Sequence, residues 1–138
     1  MRIEVNNLNP AQFKRLFESV GLENPDVRQI KIALGKSLAT FSVYEDDMLV
    51  GMARLLGDGA MYFYVKDLVI HPEYQRKCIG TGLMKYIEEY ILKQIEDSWI
   101  VYLELFSFKE TIDFYSKLGF EVHSLEHTGS SMVKVIRK

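Results

Sequence analysis

The feature that most narrows the fold of this chain is a change of period at His71-Pro72. Before that bend, Met61 to Ile70 is a strand-like run. After it, Ile79, Leu83, Ile87, Tyr90, Ile91 and Ile95 recur at helical spacing, while Lys85, Glu88, Glu89, Lys93 and Glu96 fall mostly on other faces. Ile100 to Phe106 then returns to strand composition. A strand, a long helix and a strand in succession can supply a parallel crossover, and ligands favour the ends of such strands where neighbouring strands diverge.

Upstream, Met1 to Val5 alternates as a short strand. Asn9-Pro10 opens a helix with Phe13, Leu16, Phe17 and Val20 on one face and an end near Gly21. A second helix is expected after Asn24-Pro25, carrying Val27, Ile30 and Leu34 inward. From Ser37 the period shortens towards two. Leu38 to Tyr44, Met48 to Leu56 and Met61 to Ile70, separated by Glu45-Asp46-Asp47 and Gly57-Asp58-Gly59, read as an antiparallel meander. Downstream, Lys109 to Leu118 reads as a shorter helix, and Phe120 to Ser124 and Ser131 to Ile136 as closing strands around a turn at Gly129. The expected class is mixed α/β, with a mostly antiparallel central sheet flanked by helices. With 138 residues, 48% of them apolar, and no repeat or linker, one domain over 1–138 is expected.

Dispersed charge, 17 basic against 19 acidic residues, argues against a broad grip on nucleic acid or an anionic membrane. One cysteine, Cys78, forms no internal disulfide framework and no paired-cysteine zinc site, which suits a reducing compartment. His123 and His127 stand too singly to suggest a metal site. The first residues lack the apolar run of a signal peptide and no stretch approaches a membrane span, so a cytoplasmic protein is expected.

The segment joining the third central strand to the long helix carries the chemistry. Unpaired amides at a helix start, the helix dipole, and Gly80 and Gly82 admitting close approach make an anion site, with Arg76 and Lys77 adding attraction for a diphosphate. By composition alone the same residues also read as a solvated turn. The loop has neither the three-glycine dinucleotide spacing nor a Gly-Lys-Ser/Thr ending, which turns the expectation away from NAD and ATP. Cys78 reads as a small apolar filler before a catalytic thiol.

Gln75-x-x-Cys78-x-Gly80, behind a strand and a His-Pro bend, resembles the Gln/Arg-x-x-Gly-x-Gly/Ala turn of the GCN5-related N-acetyltransferase family. Thr111-Ile112-Asp113-Phe114-Tyr115-Ser116-Lys117-Leu118-Gly119-Phe120 resembles that family's Ala-x-x-Phe/Leu-Tyr-x-Lys-x-Gly-Phe stretch. The resemblance spans about Met48 to Glu121 and implies an acyl-CoA N-acyltransferase fold that uses acetyl-CoA as donor. It implies that Leu68, Val69 and Ile70 meet the pantetheine arm. It gives the diphosphate turn to Gln75, Arg76, Lys77, Cys78, Ile79, Gly80, Thr81 and Gly82. It further implies an N–H near Val69 for the thioester oxygen, and Tyr115 as proton donor to the departing thiolate. Three positions depart from the pattern: Cys78 replaces its first glycine, Phe108 replaces an Asn seven residues before the tyrosine, and Thr111 replaces its Ala.

Transfer to an amine needs a proton acceptor, since an alkylammonium with a pKa of about 10.4 is neutral only about once in 10³ molecules at pH 7. Asp67, Glu104 and, behind them, His71 are the candidates, and Asp67 and Glu104 also read as strand-end polar residues or as partners of Lys66 or Arg54. Tyr62 and Tyr64 read as core and interface before acceptor lining. The expected acceptor is a primary amine of a small molecule or peptide, with protein or RNA acceptors ranked lower. The alternative is a catalytically weak coenzyme A-binding regulatory or interaction module of the same fold. The resemblance also allows a homodimer.

Overall fold

A computed structural model describes residues 1–122, 134 and 137 of the chain. The chain divides into two compact units, Met1–Phe106 and Ser107–Lys138. In the first, β1 (Arg2–Val5), α1 (Pro10–Ser19), α2 (Val27–Lys36), β2 (Ala39–Glu45), β3 (Met48–Gly57), β4 (Tyr62–Ile70), α3 (Ile79–Leu92) and β5 (Tyr102–Leu105) follow in order. The strands form one sheet in sequence order, antiparallel from β1 to β4 and parallel between β4 and β5. The expected meander and crossover are both present.

Asn9 starts α1 through a reciprocal capping box: its side chain accepts from the Gln12 amide at 3.0 Å, and its own amide donates to Gln12 Oε1 at 2.9 Å. Such a cap satisfies amides that no helical carbonyl can reach. The second helix begins directly after Asn24-Pro25, as expected. Asp26 is its cap, accepting from the Arg28 amide at 2.8 Å. Asn24 instead donates back to the Lys14 carbonyl at 3.2 Å and tethers the connection to α1. Val27, expected inward, is exposed: it falls on the same helical stripe as Ile30 and Leu34 but stands at the first helical position.

β2 is buried along nearly its whole length, and its alternating residues show what covers each face. Phe41 meets Tyr86 and Tyr90 of α3 edge-on, at ring distances of 6.1 and 5.4 Å. Tyr44 joins Leu49, Met52 and Val69 in a cluster with Phe13 and Leu16 of α1 and Ile30 of α2. The helices therefore lie on opposite faces of the sheet. Along α3, Ile79, Leu83, Ile87 and Ile91 are buried as expected, and Met84 joins them. The helix closes at Leu92, so Ile95 sits in the following turn, its amide bonded to the Ile91 carbonyl at 3.2 Å. Ile100 is exposed ahead of β5.

The second unit opens with a 3-10 turn at Lys109–Thr111, followed by α4 (Ile112–Ser116). Gly119, at φ +89, ends this helical segment, and the Phe120 amide returns to the Tyr115 carbonyl at 3.1 Å. Residues 120–122 carry no strand, since a strand needs a ladder and nothing among the described residues pairs with them. The Gly129 turn, the closing strand over Ser131 to Ile136, His123 and His127 lie outside the described residues, except that Lys134 is described as unstructured.

The β3–β4 turn is governed by two residues. Asp58 Oδ1 accepts from the amides of Ala60, Met61 and Tyr62 at 2.9, 2.8 and 3.0 Å. Those three donors hold its carboxyl below the usual carboxylate range. Gly57 takes φ +137, and a Cβ placed there would stand 2.0 Å from the Tyr62 carbonyl oxygen. We therefore expect Gly57→Ala to destabilise the fold by roughly 1–3 kcal/mol. An unchanged urea midpoint would show that the turn has room to relax.

Candidate active site

β4 is paired with β5 only from Tyr62–Tyr102 to Val65–Leu105. Beyond Val65, no described strand lies along that edge, and β4 continues towards α3 with one side of its backbone open. Which groups face the opening follows from the ladder with β3. The His71 amide donates to the Val50 carbonyl at 2.8 Å, and Met52 stands opposite Val69. Successive residues of a strand alternate, so Val69 also directs its amide to β3, whereas Leu68 and Ile70 direct theirs to the open edge. Of the strand residues expected at the site, these two have the usable backbone.

After β4, His71 caps a 3-10 turn over Pro72–Tyr74, its Nδ1 accepting from the Glu73 amide at 3.4 Å. Gln75 Nε2 donates to the Ile70 carbonyl at 2.9 Å, so this side chain fastens the turn to the strand end. Arg76 and Cys78 both take positive φ, +60 and +61. Such residues let successive amides point to the concave side of a turn, a geometry that suits an anion. Cys78 is the N-cap of α3 but makes no capping bond through its side chain. The first helical amide with an intrahelical partner is that of Gly82, to the Cys78 carbonyl at 2.9 Å, leaving Ile79, Gly80 and Thr81 at the free helix start. Lys77 Nζ lies 4.9 Å from the centre of the Tyr74 ring, which holds its charge beside the turn.

On the sheet face that carries Met52 and Arg54, Tyr62, Tyr64, Tyr102 and Glu104 share one side through the pairs Tyr62–Tyr102 and Tyr64–Glu104. Tyr62 and Tyr102 stack at 5.6 Å. Burial, and secondarily the negative charge of Glu104, push the Tyr64 hydroxyl upward from its ordinary pKa. Glu104 is exposed, and among the described residues no hydrogen bond or ion pair engages it. Asp67 is held otherwise: its Oδ2 accepts from Arg54 Nε at 2.6 Å, the structural alternative that its neighbourhood suggests. The structure thus brings Glu104 and the open β4 edge onto adjoining strands.

Tyr115 belongs to the second unit. It lies against Phe114 and Phe120, at ring distances of 4.8 and 5.8 Å, and burial pushes its hydroxyl pKa upward. Tyr74 and Tyr102 escape a reading of the sequence, whereas Arg54 enters it as a pairing partner. Only the register and the turn geometry place them, although the recurrence of tyrosine in both Tyr62-Phe63-Tyr64 and Tyr102 is a visible signal for the shared face.

Comparison with known proteins agrees with this architecture. Residues 37–122 match the sequence family described as an acetyltransferase (GNAT) domain. An uncharacterised N-acetyltransferase, ycf52-like, from Prochlorococcus marinus is 33% identical over 120 residues, covering 84% of this chain and 64% of that protein. The chloroplastic GCN5-related N-acetyltransferase 1 of Arabidopsis thaliana is 30% identical over 122 residues, covering 87% of this chain and 60% of that one. The chain thus spans less than two thirds of the length of these relatives. A GNAT-family acetyltransferase from Streptococcus pneumoniae superposes with a TM-score of 0.77 at 29% identity, over 99% of this chain and 98% of that one. A protein of unknown function from meticillin-resistant Staphylococcus aureus does so with a TM-score of 0.81 at 25% identity, over 97% and 100%.

Cys78 occupies a left-handed conformation that costs an L residue roughly 1–2 kcal/mol and glycine little, against a loss of chain entropy for glycine of about 0.5–1 kcal/mol. Cys78→Gly is expected to raise stability by up to about 1 kcal/mol, and Cys78→Val to lower it, because a β-branched side chain tolerates positive φ least. Thermal unfolding of the two variants checks this, and the reverse order would refute it.

Proposed function

The chain belongs to the GCN5-related N-acetyltransferase family, and from that premise we propose that it is an acetyl-CoA-dependent N-acetyltransferase. It would move the acetyl group directly onto a primary amine of a small molecule or peptide. The observation that carries the reading is the continuity of open backbone: β4 loses its parallel neighbour after Val65 and leads through a turn with two positive-φ residues into the free amides of α3. An elongated ligand with an amide-bearing arm and a diphosphate fits that sequence of groups. Leu68 and Ile70 would meet the arm, and the amides of Ile79, Gly80 and Thr81, with Arg76 and Lys77 beside them, the diphosphate.

When bound, acetyl-CoA supplies a thioester carbonyl open to attack and a thiolate that can leave. The chain supplies the rest. A backbone amide on the open edge of β4 can donate to the carbonyl oxygen as charge gathers there. Glu104 takes the amine's proton, directly or through water, because its carboxylate is uncommitted while that of Asp67 is bonded to Arg54. The family resemblance gives Tyr115 the role of proton donor to the leaving sulfur, and its phenol keeps its proton at neutral pH. Burial favours the neutral phenol, so its ionisation moves above the ordinary 10.0 and not below it.

Among the described residues no helix is long and apolar enough to cross a membrane. A cytoplasmic enzyme remains our reading, with the single exposed cysteine suited to a reducing compartment. A coenzyme A-binding module without turnover is the second reading, and the side chain of Cys78 in the turn is what favours it.

Calorimetry with acetyl-CoA and, separately, ATP tests the donor: micromolar binding of acetyl-CoA alone is expected, and no binding would sink the proposal. An amine screen then separates enzyme from module. Tyr115→Phe should lower kcat by about 10²- to 10⁴-fold while leaving acetyl-CoA affinity intact. In the parent enzyme the alkaline fall of kcat assigned to this group should lie above pH 10.0, since the protonated phenol is the active form and its pKa is raised. Binding without turnover on any amine would favour the module.

A further inference from the structure

Asp67 stands where the β3–β4 ladder breaks. Lys66 faces Arg54 and Val69 faces Met52, so Asp67 and Leu68 together oppose Ala53 in a bulge. Asp67 takes φ +51 there, a conformation rarely held inside a strand by a residue other than glycine. Its carboxylate bonds Arg54 Nε at 2.6 Å, with only 13% of the Arg54 and 12% of the Asp67 side chain exposed. Arg54 continues the connection: its Nη1 donates to the Ala33 carbonyl at 3.3 Å and to Ser37 Oγ at 3.4 Å. Ser37 Oγ in turn donates to the same Ala33 carbonyl at 2.9 Å. An unbroken polar chain thus runs from the bulge of β4 to the last turn of α2.

The position of this chain gives it consequence. The bulge lies between the last rung of the β4–β5 ladder, Val65–Leu105, and the open-edge residues Leu68 and Ile70. Whatever fixes the backbone at Asp67 therefore fixes the direction in which the next amides point. Among the described residues no ladder holds the bulge on that side, and the restraint the structure offers there is a side chain. Arg54 suits this role: its planar fork holds Asp67 through Nε while Nη1 reaches α2, an arrangement that an ammonium group does not reproduce.

We propose that Arg54 and Asp67 are positioning residues that brace the β4 bulge and couple the aim of the Leu68 and Ile70 amides to the last turn of α2. This rests on the reading of the open edge as the acyl-donor site. Asp67 acts through the backbone that follows it and takes no proton from the acceptor. Removing either partner frees the bulge and leaves the other partner with an uncompensated charge in a mostly buried place.

The test uses the full chain with Arg54→Met, Asp67→Asn, the double variant, and Asp67→Gly, which keeps the backbone conformation accessible if the others fold poorly. Each single variant is expected to lower kcat/KM by about 10- to 100-fold, the scale of a misplaced reacting group. The double variant should be no worse than the worse single one, because both remove the same brace. The acid limb of the pH profile should stay where the parent enzyme has it, and Arg54→Lys should restore activity only in part. Additive losses, parent-like kcat/KM in both single variants, or loss of the acid limb in Asp67→Asn alone would overturn the proposal, the last by making Asp67 the base. Amide hydrogen exchange at Val69 and His71, the amides after the bulge that face β3, provides a readout without turnover. Exchange at least about tenfold faster in Arg54→Met and Asp67→Asn, with β2 unchanged, is expected of a lost brace. Unchanged exchange there would overturn the brace even if the protein binds no acetyl-CoA, whereas faster exchange without acetyl-CoA binding would remove the donor reading and leave the brace standing.

Discussion

The organisation of the Met1–Phe106 unit depends on one unmade set of hydrogen bonds, those that β4 would form with β5 beyond Val65. A buried or half-buried backbone group without a partner costs stability, so folds seldom leave a strand edge open without reason. Here the open edge is short, begins at a bulge, and ends where Gln75 takes the Ile70 carbonyl. The parallel crossover makes the opening available. Two strands joined by a helix need not stay in register to their ends as a hairpin does.

Backbone strain is gathered around the same place. Asp67, Arg76 and Cys78 all hold positive φ within the passage from β4 to α3. Conformations of this kind persist where the surroundings over-determine them. The surroundings are supplied by the doubly covered middle of the sheet: Phe41, Val43, Met52, Ala53 and Leu55 have no exposure, and α3 is anchored through Leu83, Met84 and Ile87. The turn is thus suspended between a rigid strand and a rigid helix. Gln75 at one end and the Lys77–Tyr74 contact near the other hold side chains that would otherwise be free in solvent.

Much of this was legible in the residues, and what escaped did so for definable reasons. The meander, the crossover and the start of α1 follow from local signals, namely the period of the apolar residues and the Asn9-Pro10 pair. The bulge did not follow, because Lys66 to Ile70 reads as an uninterrupted strand, and an aspartate, although it visits positive φ more often than most residues, does not by itself mark a bulge. For the same reason, Val69 looked as eligible as Leu68 and Ile70 until the register with Met52 turned its amide towards β3. Val27 and Ile95 show the ordinary uncertainty at helix ends, where the stripe continues in the sequence after the hydrogen bonds have stopped. Asp67 and Glu104 were indistinguishable as carboxylates on neighbouring strands. The partner, Arg54, separates them, and it comes from β3, well removed in sequence.

That separation shows how one sheet can hold two carboxylates in unlike surroundings. On β5, Glu104 is exposed beside Tyr64, and among the described residues no cation competes for its oxygens. On β4, Asp67 is turned by its left-handed backbone towards Arg54, and its charge is spent on geometry. Under the proposed roles the two environments are not interchangeable: a base tied to guanidinium gains little from an ammonium partner, and a bulge next to water would lose its restraint. The departure at Cys78 obeys the same logic on a smaller scale. A side chain is tolerated at a left-handed position because it is exposed and caps nothing, so the conformation of the turn is imposed by its two ends and not by the residue that adopts it.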